Sequence, residues 1–140
     1  MTILDDLKTY LETYPALVAN APLNIDTLGK TPTEYSIVPT PGTKILERYI
    51  NNGSLREYSF ALQSMEYTAD NLARLENNGF YETFAEWLED QNDAGILPTL
   101  DAGKTAETIE ALGHGSLFEF GESSTGIYQI QCRLVYEQDP

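Results

Sequence analysis

The sequence predicts a single α+β domain over residues 1–140, a mostly antiparallel sheet of hairpins packed by an N-terminal helix and a long central helix. Three observations predict it. Residues 126–138 (GIYQIQCRLVYEQ) sort Tyr128, Ile130, Cys132, Leu134 and Tyr136 to one side and Gln129, Gln131, Arg133 and Glu137 to the other, the period of a half-buried strand. Residues 69–91 instead repeat their apolar positions with the period of a helix. Two further strand-like runs flank Asn51-Asn52-Gly53-Ser54, residues that tolerate the positive φ a tight hairpin demands. A chain of 140 residues with 41% hydrophobic content suits one core that buries roughly two-thirds of the unfolded surface.

Taken in order, Thr2 and Asp5 are spaced as a variant capping box, and Ile3, Leu4, Leu7, Tyr10, Leu11 and Tyr14 make one helical stripe. Pro15 removes a backbone donor and interrupts that helix, and the polar stretch 20–33 reads as a surface connection. Residues 34–38 read as a strand halted by Pro39 and Pro41-Gly42. A hairpin follows, with arms at 44–50 and 55–67. In its return arm Tyr58, Phe60 and Leu62 share one face while Ser59, Ala61, Gln63, Met65 and Tyr67 share the other, so that arm is expected to be covered on both sides for part of its length.

The central helix carries Leu72, Leu75, Phe80, Phe84, Trp87 and Leu88 on its apolar stripe, with Glu76, Glu82, Glu86 and Glu89 outside it. Asn77-Asn78-Gly79 leaves a kink or a break into two helices open, because an interior glycine costs about 1 kcal/mol relative to alanine. Asp93-Ala94-Gly95 ends the helix. Residues 105–112 have the composition of a short helix, yet a strand there would lead through 116–120 into a closing hairpin with Gly113 and Gly115 marking a bulge. The hairpin is the expectation taken.

Composition narrows the function. Eight Lys and Arg against 22 Asp and Glu give a formal charge of −14, and the cations are scattered, so a nucleic-acid backbone is expected to be repelled rather than gripped. No apolar run has the length of a membrane span, and residues 1–10 lack the basic start and apolar stretch of a secretory signal, so the expectation is a cytoplasmic protein without a membrane. The single cysteine, Cys132, reads as a small core hydrophobe.

Candidate chemistry is sparse. Nucleophilic catalysis needs an orienting base, and the one histidine, His114, sits between two glycines in what reads as a turn or strand. One Cys and one His do not make a zinc site, and the pairs Asp5-Asp6 and Glu89-Asp90 fall at helix ends or solvent faces. There is no phosphate loop or dinucleotide fingerprint. The reading is therefore of a protein without catalytic, cofactor-binding or metal-binding residues, one that assembles rather than reacts. Its nine tyrosines fit that reading, since tyrosine brings contact area and a polar tip to interfaces. Tyr10, Tyr14, Tyr35, Tyr58, Tyr128 and Tyr136 fall on core faces, whereas Tyr49 and Tyr67 are the interface candidates.

The segments RYINNGSLREYSFALQSMEYTADNLARLENNGFYETFAEWLEDQ, residues 48–91, and GESSTGIYQIQCRLVYEQ, residues 121–138, resemble a family of minor capsid proteins from long-tailed phages and prophages of Gram-positive bacteria. The order of elements is also similar to that of phage tail terminators, the ring-forming proteins that cap a completed tail tube and join it to the head. The resemblance implies a virion protein assembled in the host cytoplasm and self-associated in a ring, commonly of six subunits. Its partners would be the tail tube and the head-tail connector, and DNA would pass through without specific binding. It offers no catalytic residues or cofactor.

The hairpin tip Asn51, Asn52, Gly53 and Ser54 and the loop 93–104, represented by Asp93, Leu97 and Lys104, are the expected partner contacts beside Tyr49 and Tyr67. Another head-tail joining or minor capsid component is the alternative within this class. A small-ligand-binding domain is the alternative outside it.

Overall fold

A computed structural model describes residues 3–14, 23–25, 34–41, 44–67, 71–113, 115–120 and 125–140. The elements are α1 (Ile3–Leu11), β1 (Leu23–Ile25), β2 (Glu34–Pro39), β3 (Ile45–Arg48), β4 (Ser54–Tyr67), α2 (Asn71–Ala94), β5 (Lys104–Ala111), β6 (Ser116–Phe120) and β7 (Thr125–Gln138). This is the expected α+β arrangement, two described helices on a largely antiparallel sheet.

The spine of that sheet is the β4–β7 pair. It runs without a bulge from Ser54 opposite Gln138 to Tyr67 opposite Thr125, 14 residues on each strand. β2 and β3 share the outer side of β4, and β5 and β6 share the outer side of β7. Because both long strands alternate in step, Tyr58, Phe60, Leu62 and Ser64 lie on the same face as their opposite numbers Leu134, Cys132, Ile130 and Tyr128. Ile37 of β2 and Ile109 of β5 extend that face sideways. It is the core face: Phe60, Leu62, Cys132, Leu134, Ile37 and Ile109 are fully buried. Each such side chain contributes about 1.5–3 kcal/mol by leaving water.

The helices cover this face. α1 buries Leu7, Tyr10 and Leu11, and α2 buries Tyr81, Phe84 and Leu88, the 3–4–7 spacing of one stripe. The helices meet through aromatic rings, Tyr14 against Phe84 at 5.5 Å edge-on and against Trp87 at 5.0 Å. Such pairs add about 0.5–1.5 kcal/mol beyond their burial. Tyr10 also donates its hydroxyl to the Ile96 carbonyl at 2.8 Å, tying α1 to the chain leaving α2.

Several expectations are refined. α2 continues through Gly79 with no break; a Cβ there would meet nothing within 4 Å, so burial of the stripe outweighs the local cost. The helix ends at Gly95, in the left-handed region at φ 73°, with the Gly95 and Ile96 amides donating to the carbonyls of Asn92 and Gln91. These are the two bonds of a Schellman cap. The stretch read as a plain connection contains β1, which pairs in parallel with β2. A strand of 3 residues is too short to show a period, and its partner supplies the order. The variant capping box rests on Thr2, which lies outside the described residues.

Residues 105–111 are strand, as the hairpin expectation required, and tertiary pairing overrides their helical composition. Gly113 and Gly115 flank an interruption rather than a simple bulge. From Ala111 to Ser116 the chain advances five residues while β7 advances only three, from Cys132 to Gln129. The bulges lie elsewhere, between Ala106 and Thr108 and between Leu117 and Glu119.

Candidate assembly surfaces

The hairpin tip between β3 and β4 is built from its own polar atoms. Asn52 takes φ 74°, the Asn51 side-chain oxygen accepts the Gly53 amide at 2.9 Å, and the Tyr49 amide donates to the Gly53 carbonyl at 2.9 Å. Asparagine tolerates the left-handed region and closes such turns with its side chain. Asn51 and Asn52 are exposed as expected. Gly53 and Ser54, by contrast, are buried within the chain. A Cβ on Gly53 would stand 3.1 Å from the Gln138 carbonyl oxygen, and Ser54 accepts a hydrogen bond from Arg56 Nε at 2.9 Å. They shape the tip from within.

Tyr49 is half-buried and donates its hydroxyl to Glu137 at 3.4 Å. Desolvation, then the neighbouring Glu137 and Glu47 carboxylates, raise its phenol above the ordinary value.

The second expected contact, 93–104, converges on the same end of the sheet. Lys104 opens β5 opposite Gln138, and Gly103 accepts the Asp139 amide at 2.8 Å. Asp93 is exposed, but Leu97 is half-buried against the core and serves the body rather than its surface. Tyr67 stands apart at the far end of β4, roughly 43 Å away at the rise of an extended strand. Its side chain lies outside the described residues, as does His114.

Sequence reading missed the most exposed apolar side chain, Ile50, fully open to solvent beside the Asn51-Asn52 turn. An isoleucine adjoining turn residues is the signal that marks it. A groove also went unread: about 750 Å³ between α2 and the interrupted β5–β6 edge, with Tyr81, Ala85 and Ala111 in its lining and Glu82, Glu86, Glu89 and Glu110 around it. Leu112, 53% exposed, stands in its wall. Within its lining Asn92 pairs with the backbone of Ile109 in both directions: its amide nitrogen donates to the Ile109 carbonyl, and the Ile109 amide donates to Asn92 Oδ1 at 2.9 Å. A helix side chain thus occupies one rung of the edge strand and blunts it.

The sheet face away from the helices is polar, and no described helix or strand lies over it. Gln63 donates to Gln129 at 3.0 Å across the central pair, and Arg133 reaches Glu57 at 3.1 Å and Glu110 at 2.5 Å. Donating to the Glu110 and Glu57 carboxylates, in that order of effect, raises the guanidinium above its ordinary pKa. The double covering expected of β4 is not provided by any described element: on that face Ala61 is fully buried, while its neighbours Ser59 and Gln63 are half-buried.

Among the described residues no group of three His, Cys, Asp or Glu is placed to hold a metal ion, and no helix is long and apolar enough to cross a membrane. Neither family models nor curated proteins match this chain. The surface chemistry therefore has to be read from its own residues.

Cys132 is the only nucleophilic thiol and is fully buried on the core face, where desolvation pushes its pKa well above the ordinary value. The native protein is expected to resist thiol-specific reagents at neutral pH and to label fully in denaturant. Rapid labelling under native conditions would contradict that burial.

Proposed function

We propose that this protein is a phage virion component of the tail-terminator kind, which self-associates in a ring, caps the tail tube and joins it to the head. The observation that carries the reading is the unbroken β4–β7 ladder with a helical layer on one face and, at each side, edge strands whose outer sides no described strand pairs. Such a body is a stiff plate with lateral surfaces for copies of itself, and sheet edges and aromatics are the usual materials of such contacts. The likeness of residues 48–91 and 121–138 to phage minor capsid proteins supports the same reading. The charge of −14 per chain suits a channel through which DNA slides without adhering, since no cation cluster lines up to neutralise phosphates.

On this reading the protein is made in the host cytoplasm and ends in the virion, with the tail tube and head-tail connector as partners. It works by contact rather than turnover. Light scattering should record assembly that strengthens with protein concentration and with salt up to about 0.1 M, where the Debye length near 10 Å screens repulsion between acidic copies. Imaging mixtures with purified tail tubes should place rings at one tube end. Binding to the portal side alone would favour another head-tail joining component. A chain that stays monomeric, ignores tubes and instead saturates with a small ligand would overturn the proposal.

A further inference from the structure

Two edges of the sheet carry complementary chemistry. β3 pairs on one side with β4, and its other side faces no described strand. On or beside it stand Leu46 and Ile50, both exposed, and Lys44 and Arg48, exposed and in no ion pair with a described residue. By contrast, Lys8 is paired with Glu12 and Arg133 with two glutamates. Glu47 stands exposed between Leu46 and Arg48, so the strip carries two cations to one carboxylate, a net positive charge beside exposed aliphatic side chains in a chain with 22 Asp and Glu.

The opposite edge of the sheet has the reverse character. The groove beside β5 carries Glu82, Glu86 and Glu89 on its helix side, Glu110 on its strand side and exposed Leu112 in its wall, with no Lys or Arg among its described lining residues. Asn92 blocks the edge at Ile109, and β5 ends two residues later. The register against β7 shifts by two residues between Ala111 and Ser116, so the groove offers side chains and an irregular wall more than a ladder to extend. A partner for it needs aliphatic groups for Leu112 and positive charge for the carboxylates.

We infer that the β3 edge of one copy, through Lys44, Leu46, Arg48 and Ile50, docks in the α2–β5 groove of a second copy. Apolar contact supplies the adhesion, while opposite charge sets the pairing and disfavours edge-to-edge or groove-to-groove encounters. Since the two surfaces lie on different edges of one subunit, the contact is heterologous, and repeated rotation by it closes a ring or continues as a filament. The inference rests on the ring reading above and names the surfaces that would make it.

The test uses full-length chains with one surface spoiled at a time. Lys44→Glu with Arg48→Glu spoils the strip, and Leu112→Asp spoils the groove; circular dichroism and the thermal midpoint check folding, with Glu86→Lys as the second groove variant. Each spoiled chain should associate at least about tenfold more weakly than the parent in sedimentation. An equimolar mixture of the two should form a 1:1 heterodimer that grows no further, because each contributes the one intact surface the other lacks.

Spoiled chains that assemble as the parent does would sink the assignment and leave the ring reading standing, and so would a mixture that stays monomeric while the parent assembles. A parent chain that remains monomeric from micromolar to millimolar concentration, with tail tubes present, would sink both.

Discussion

Gly115→Ala is expected to lower the stability of the protein by about 3 kcal/mol, the upper end of what overpacking a core costs. A Cβ added at Gly115 would overlap Cβ and Cγ of Tyr81, atoms held close to the α2 backbone and therefore unable to swing aside. Either the chain at Gly115 lifts from the helix or α2 shifts, and both loosen the wall of the groove. Urea unfolding measures it, as a fall in the midpoint at constant m-value. Gly113→Ala is the control, since a Cβ there would meet nothing within 4 Å. If the two replacements prove equal, the close approach of chain and helix at Gly115 is wrong.

The second large effect centres on the hydroxyl of Tyr81, which crosses the core to Ser64 Oγ at 2.5 Å and donates to the Tyr128 carbonyl at 3.2 Å. Tyr81 and Ser64 are both buried, so Tyr81→Phe leaves a serine hydroxyl without this partner in apolar surroundings. That is expected to cost about 2 kcal/mol, because a stranded polar group loses its hydration without compensation. Adding Ser64→Ala should recover much of the loss, since it removes the stranded hydroxyl and leaves only the Tyr128 carbonyl short of its Tyr81 donor. A double replacement whose cost equals the sum of its parts would show that the two hydroxyls are not coupled.

These positions also show where sequence reading succeeds and where it stops. The β7 faces were legible because every second residue from Tyr128 to Tyr136 is apolar and buried, while the residues between them, Val135 excepted, are polar and partly or fully exposed. α2 was legible through Phe84 and Leu88. Tyr81 was not, since its hydroxyl disguises a core residue until the partners Ser64 and Tyr128 are brought beside it. Gly115 looked like turn punctuation; its reason is a helix contact more than thirty positions away in sequence, which no local pattern encodes.

The same limit applies to the surfaces. Asn51 and Asn52 were found by turn chemistry and are exposed, whereas Gly53, Ser54 and Leu97 face inward for reasons set by Gln138, Arg56 and the core. The groove combines a helix face with a strand edge, so its acidic rim is scattered in the sequence. Leu112 reads there as an ordinary strand end.

The long central ladder has a further consequence, for the birth of the protein. β4 is completed early, yet the strand that fills its inner side follows roughly 60 to 80 residues later along the chain. During synthesis β4 must wait with its apolar face unclosed and its backbone donors open to any passing strand. Slow maturation and a need for chaperones in the emerging polypeptide follow from that delay.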